Sequence, residues 1–232
     1  MNAARLIRLR RPPVLHVQPE PFVPNVQTPV LEQAEQRWRT LCARNPAYFD
    51  GRIWHVLGVH RNGHGGASIH VMECAYRWHA VQKGWRDLGV RSLGVKGLLV
   101  HQGRVLMGRR AVGVSAYEGM WEFAPSGVVD GGMQPRQAIL EELREEVGLV
   151  ASADPVAVAI LYDKVLDCWE IAYRLRAAVT DDIRFEPREY DSVRWVDPAA
   201  LTGERAGEQP GELTPMARQM TALLDQKGDH AV

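Results

Sequence analysis

Three glutamates, Glu142, Glu145 and Glu146, fall at i, i+3 and i+4 in a run that contains no helix breaker. A helix therefore gathers them on one face. Carboxylates held that close repel one another unless positive charge lies among them. Their hard oxygens suit Mg²⁺ or Mn²⁺, ions commonly shared with substrate phosphates. The chemistry such a set could serve is chemistry at a phosphate, where a bound ion neutralises charge and activates a water. The same spacing also describes a solvated acidic face with Arg144 beside it.

The element that must present these groups is a helix over residues 135–147. Pro135 suits its first turn, where a missing N–H costs nothing. Ile139, Leu143 and Val147 recur at i, i+4 and i+8 and form one apolar stripe. Gly148 stands where a C-cap glycine is expected. Ahead of the helix, Gly127, Gly131 and Gly132 allow a tight loop. Residues 127–149 thus read as loop, helix and stop.

This stretch resembles the box of the Nudix hydrolases, G-x5-E-x7-R-E-U-x-E-E-x-G-U, with U aliphatic. Gly127, Glu142, Leu143, Glu145, Glu146, Gly148 and Leu149 match it, whereas Met133 stands for the first glutamate and Glu141 for the arginine. GRVLMGRRA (103–111) and GMWEFAPSG (119–127) are similar to the family's strand-and-arginine and W-E-x-P-G-G segments, with Ala124 inserted and Ser126 replacing a glycine. The resemblance runs over roughly residues 93–224. It implies an α/β fold, an α/β/α sandwich around a mixed sheet. It assigns the metal to Glu142, Glu145 and Glu146, and catalysis to Glu145 and Glu146, with Gly127 and Gly148 as motif backbone. It also implies a carboxylate from outside the box, for which Glu189 is the candidate; the alternative is a loop glutamate paired with Arg188 or Arg194.

The departures leave two readings open. In the family the box arginine helps hold the carboxylates. Glu141 cannot, and is expected to turn to solvent or to pair with Arg144 or Arg136. Met133 removes a loop carboxylate, although Asp130 is near in sequence. Neither change deletes a primary ligand, which favours an active hydrolase of a small-molecule nucleotide over a non-catalytic nucleotide-binding or regulatory module. Residues 37–56, CAYRWHA and LGVKGLLV are similar to the N-terminal extension of the UDP-sugar pyrophosphatase branch, which implies a UDP-sugar-like substrate. Arg109 and Arg110 end a strand, so at most one faces the site, where it would fork onto a phosphate. Tyr117 and Trp121 are candidates to stack on a base or sugar, with core packing the alternative for Trp121.

The chain of 232 residues balances 28 basic against 28 acidic side chains. That balance gives no pull toward nucleic acid or an anionic membrane. No apolar run approaches a membrane span, and the arginines near the start precede no apolar core of a secretory signal. Three scattered cysteines read as reduced thiols, which points to the cytoplasm. Residues 1–28 are expected to be an extended or partly disordered arm, 29–92 a helix and β-rich subdomain, and 93–232 the Nudix-like domain. The hairpin signal at Asn62-Gly63 sits between two β-rich runs. That hairpin is expected to pack on the 93–232 part or on a second copy in a homodimer. Its four histidines, His55, His60, His64 and His70, match no compact zinc spacing.

Overall fold

The computed structural model describes residues 6–46, 48–114, 116–178, 183–203 and 210–224. Strands β1 (Leu6–Arg8) and β2 (Val14–Val17) lead to helix α1 (Thr28–Arg44), the hairpin β3 (Arg52–Arg61) and β4 (Ala67–Ala75), and helix α2 (Tyr76–Gln82). Then come β5 (Ser92–His101), β6 (Arg104–Arg110), β7 (Trp121–Phe123), β8 (Ser126–Val128) and helix α3 (Pro135–Val147). The chain continues through β9 (Val150–Ala151), β10 (Val156–Asp163), β11 (Cys168–Leu175), β12 (Ala177–Ala178) and β13 (Tyr190–Val196). Helices α4 (Pro198–Thr202) and α5 (Pro215–Met220) complete it. Among the described residues no helix is long and apolar enough to cross a membrane.

Eleven of these strands hydrogen-bond into one mixed sheet. Strand β5 is central. It runs parallel to β11, from Ser92 opposite Cys168 to Leu99 opposite Leu175, and antiparallel to β8. Its first eight residues are buried, as expected of a strand covered on both faces. One face carries α3, whose Ala138, Ile139, Leu143 and Val147 join Leu93, Val95 and Ile160 in a core. The other carries α4 and α5, packed on Leu98, Phe123 and Leu161. Helices on both faces of a mixed sheet make an α/β/α sandwich. Ile139 and Leu143 are 0% and 1% exposed. Each contributes ~1.5–3 kcal/mol of burial, which fixes α3 and hence its carboxylates on the sheet.

The N-terminal residues add to the same sheet. The hairpin turns as its Asn-Gly signal predicts, with Asn62 Oδ1 accepting from His64 N and Gly66 N. Strand β3 then touches the chain just ahead of α3: Trp54 N donates to Val129 O (3.2 Å) and Gly131 N to Arg52 O (2.8 Å). The order β1-β10-β11-β5-β3-β4-β2 puts β1 and β2 at opposite ends of a seven-strand path. Six strand spacings would separate those ends by roughly 29 Å in a flat sheet. The residues joining Arg8 to Val14 reach only about 20 Å. The sheet is therefore curled, and the arm closes it: Leu9 N donates to Val158 O, and Arg10 N to Gly65 O at the hairpin tip. No strand is legible in the sequence of this arm, since three- and four-residue strands carry too little periodicity.

Helix α2 follows β4 without a loop. The buried Gln82 fixes the turn beyond it, since its Nε2 donates to Val90 O (2.8 Å) and its Oε1 accepts from Leu88 N and Val90 N. That clamp folds residues 83–90 back toward the start of β5.

Candidate active site

Helix α3, helix α2 and the ends of β5, β7, β8 and β11 enclose a cavity of about 310 Å³. At its α3 end lie Gly127, Glu142, Glu146 and Glu189. Glu146 is 6% exposed. Its Oε2 accepts from Ser126 N (2.8 Å) and from the Tyr190 hydroxyl (3.0 Å). Burial, then the neighbouring Glu142, pushes its carboxyl well above the usual range, against the pull of the Ser126 N–H. Glu142 is pushed up to about 8 by burial, then by Glu145 and Glu189. A Cβ on Gly127 would stand 1.7 Å from Glu142 Oε1. Only glycine lets the β8 backbone pass under that carboxylate. Gly148 caps α3 at φ 65°, its N–H donating to Arg144 O, a left-handed glycine stop.

Glu145 lies elsewhere. Its side chain is 64% exposed, bonds Arg144 at 2.9 Å and does not line the cavity. Glu141 pairs with neither expected arginine: it accepts from Gln137 Nε2 (2.9 Å), while Arg144 is on Glu145 and Arg136 on Asp154. Met133 packs against the core, and its carbonyl accepts from Trp54 Nε1.

The two arginines divide as strand alternation requires. Arg109 points outward, 44% exposed, to Asp191 (2.6 Å). Arg110 points into the cavity, bonding the Glu122 carboxylate and Ala116 O. The same alternation on β7 corrects the expectation for Trp121. Trp121 and Phe123 face the α5 core and Glu122 faces the cavity, so the indole is 2% exposed, lies under Arg194 and reaches no ligand space. Tyr117, at φ 56°, does line the cavity, with its hydroxyl donating to Asp163 (2.8 Å).

Several residues of this site went unassigned in sequence. Lys96 and Glu122 are 2% and 3% exposed and meet at 2.6 Å, with Glu170 Oε2 a further 3.7 Å from Lys96. Burial works to raise the Glu122 carboxyl, but Lys96 and Arg110 together hold it below its usual value. Glu170 is raised, by burial first. A lysine inside the apolar run GVKGLLV was the available signal, because a lysine in a doubly covered strand needs a buried partner. Tyr190 was also missed. It is fully buried against Gly108, where a Cβ would come within 2.4 Å of its ring, and it orients Glu146.

A second, open groove of about 680 Å³ adjoins the α3 end and shares Arg110, Val128 and Glu189 with the cavity. Tyr48, Phe49, Tyr76 and Val112 line it, and Phe49 is 78% exposed. These aromatic side chains, from the N-terminal part of the chain, offer the stacking surface that Trp121 does not.

Among the described residues no three His, Cys, Asp or Glu side chains already converge as a metal cluster. The donor set nevertheless fits a hard divalent cation: Glu142, Glu146 and Glu189 bring carboxylate oxygens to one cavity end, over a residue with no side chain. Ionising Glu142 and Glu146 side by side calls for positive charge between them.

A family model described as NUDIX domain matches residues 90–222. An isopentenyl-diphosphate Delta-isomerase of Corynebacterium diphtheriae is 31% identical over a segment covering 44% of this chain and 60% of that protein, so this chain spans less than two thirds of that relative's length. An RNA pyrophosphohydrolase of Gluconacetobacter diazotrophicus is 30% identical, covering 46% of this chain and 76% of that protein. Among solved structures, a MutT protein from Methanosarcina mazei Go1 aligns with TM-score 0.47 at 20% identity, covering 58% of this chain and 93% of its own. DR0079 from Deinococcus radiodurans aligns with TM-score 0.48 at 22% identity, covering 60% and 88%.

Proposed function

Because the chain belongs to the Nudix family, we propose that its cavity hydrolyses a phosphoanhydride in a nucleoside diphosphate joined to another group, with a UDP-sugar-like compound as the first choice. One observation carries this reading: the half-buried Glu142 and the buried Glu146, with Glu189 beside them, sit where a groove lined by aromatic side chains meets the cavity. A diphosphate bridging groove and cavity passes these carboxylates.

Glu142 and Glu146 would hold Mg²⁺ or Mn²⁺, with Glu145 on the next exposed position of the same helix. Such a cation, when bound, neutralises diphosphate oxygens and acidifies a water. Ser126 N–H and Tyr190 O–H aim the Glu146 carboxylate. Glu189 stands at the boundary of the two spaces, where a carboxylate can take the proton of an attacking water. The backbone bond from Ala111 N to Glu189 O ties it beside Arg110. Arg110, steadied by Glu122 and Ala116 O, offers its remaining N–H groups toward a phosphate. The nucleoside would stack on Phe49 and Tyr48.

Turnover of UDP-glucose and isopentenyl diphosphate, with Mg²⁺ and with Mn²⁺, read by mass spectrometry of the products, tests this reading. UMP and a sugar phosphate from UDP-glucose are the expected products. Tight nucleotide binding without turnover would favour the non-catalytic module instead.

A further inference from the structure

Two buried polar atoms at the α2 end of the cavity, His79 Nδ1 and Ser92 Oγ, have no hydrogen-bond partner among the described residues. Their residues are 3% and 1% exposed and both line the cavity. Beside them Glu170 Oε2 also lacks a hydrogen bond, with Lys96 Nζ 3.7 Å away. Buried polar atoms are normally satisfied, so three orphans lining one cavity describe a set waiting for a ligand's own polar atoms.

The three come from different elements brought together by register. Ser92 lies opposite Cys168 and Gly94 opposite Glu170 on the parallel strands β5 and β11. Ser92 and Glu170 therefore share a face, one pleat repeat apart. His79 comes from α2, across the cavity. Gly94 lies between this end and the box loop, and a Cβ there would stand 3.1 Å from Gly127 O and 3.3 Å from Glu170 Cγ. Its missing side chain keeps the two ends of the cavity continuous.

The donors and acceptors select a class of ligand. The serine hydroxyl donates and accepts, the carboxylate oxygen accepts, and the imidazole nitrogen does either according to its tautomer. Burial holds the His79 imidazole down to about 3, so it is uncharged at neutral pH. A phosphate offers mainly acceptors; Lys83, Lys96 and Arg110 also line the cavity, but Lys96 and Arg110 are held on Glu122, and the orphan oxygen of Glu170 would repel it. An alkyl chain would leave all three atoms unpaired. Hydroxyl groups, which donate and accept, match the set.

We propose that this end of the cavity binds a neutral, hydroxyl-rich group such as a hexose, with His79, Ser92 and Glu170 as its hydrogen-bond partners. The helix and turn over residues 76–92 then select the group attached to the far phosphate. This inference rests on the reading of the site as one for nucleoside diphosphate derivatives.

UDP-glucose and the methyl ester of UDP test it, each measured for kcat/KM with Mg²⁺ and for Kd by calorimetry, in wild type, Ser92→Ala and His79→Phe. Melting curves check that both variants fold, and Ser92→Ala, the smaller change, is the decisive one if His79→Phe does not. The preference for UDP-glucose over the methyl ester should fall ~tenfold in each variant, the scale of one neutral hydrogen bond. An unmoved preference in the folded variants overturns the proposal. Hexose-selective binding that the variants lose, without turnover of either compound, upholds the sugar end and removes the hydrolase reading. Equal turnover and binding of both compounds by wild type does the reverse. Failure to bind either compound overturns both.

Discussion

Helices α3 and α2 face the same cavity, yet burial drives their charges in opposite directions. On α3 it raises the Glu142 and Glu146 carboxyls, against their ionised form. At α2 it lowers His79 and Lys83, again against the charged form. The α3 end assembles negative groups that need a cation to ionise together. At the α2 end burial works against charge on His79 and Lys83, beside the paired charges of Lys96 and Glu122. One cause, desolvation, thus acts in opposite directions on carboxyl and basic side chains that line the same cavity.

The largest effect should come from removing one side of the comparison altogether. A chain starting at residue 90 loses α2, the hairpin and the clasp, and exposes the β5 edge and the apolar residues beneath. It should be insoluble or lack a cooperative melting transition by circular dichroism. A soluble, active fragment would show that α2 does not build the site. Next, Glu142→Gln and Glu146→Gln should each lower turnover by about a hundredfold or more, on the scale of a lost catalytic carboxylate. Added Mg²⁺ or Mn²⁺ should raise the wild-type melting temperature, and should raise that of each variant less. Near-wild-type turnover in both variants would take the chemistry away from α3.

A third contrast separates the adjacent arginines. Arg110→Ala leaves the buried Glu122 with one cation fewer, and breaking such a pair costs about 3–5 kcal/mol. Arg109→Ala removes an exposed pair worth ~1 kcal/mol or less. Denaturant unfolding of the two variants reads the difference, and equal losses would undo the inward–outward assignment. The smallest effect concerns pH. His79 is held down to about 3 and His55 to about 4, burial being the first cause in each. Below an unfolded value of 6.5 the unfolded chain takes up these protons before the folded one does. Their contribution to stability is therefore present above pH 6.5 and is lost as the pH falls toward 4 and 3. His55→Phe, away from the cavity, should flatten the melting temperature between pH 6.5 and 4.5 relative to wild type; an unchanged slope would mean that His55 is not buried uncharged.

The α3 half was legible because its chemistry is written in local spacing. Pro135, the Ile139-Leu143-Val147 stripe and Gly148 gave the helix its observed bounds, and the period singled out Glu142, Glu145 and Glu146 without telling that Glu145 faces solvent. What could not be read depends on pairing across the sheet. Nothing near Glu122 or Lys96 says that β7 and β5 bring them to 2.6 Å. Nothing near His79 says that its helix crosses to the box. Trp121 could have been placed: Trp-Glu-Phe alternates, and if the carboxylate faces the site the aromatic rings cannot.

The clasp of the sheet by the arm carries a consequence for how the chain is made. Leu6 pairs with Leu161, 155 positions later. On the ribosome β1 therefore emerges well before its partner, with all the intervening residues still to be synthesised. At a rate of about 5–20 residues per second the arm waits at least several seconds without its strand partner. Contacts of such sequence separation form late and slowly. Closure of the curled sheet thus waits until β10 has emerged, and until it happens the β10 edge is open to pairing with other chains.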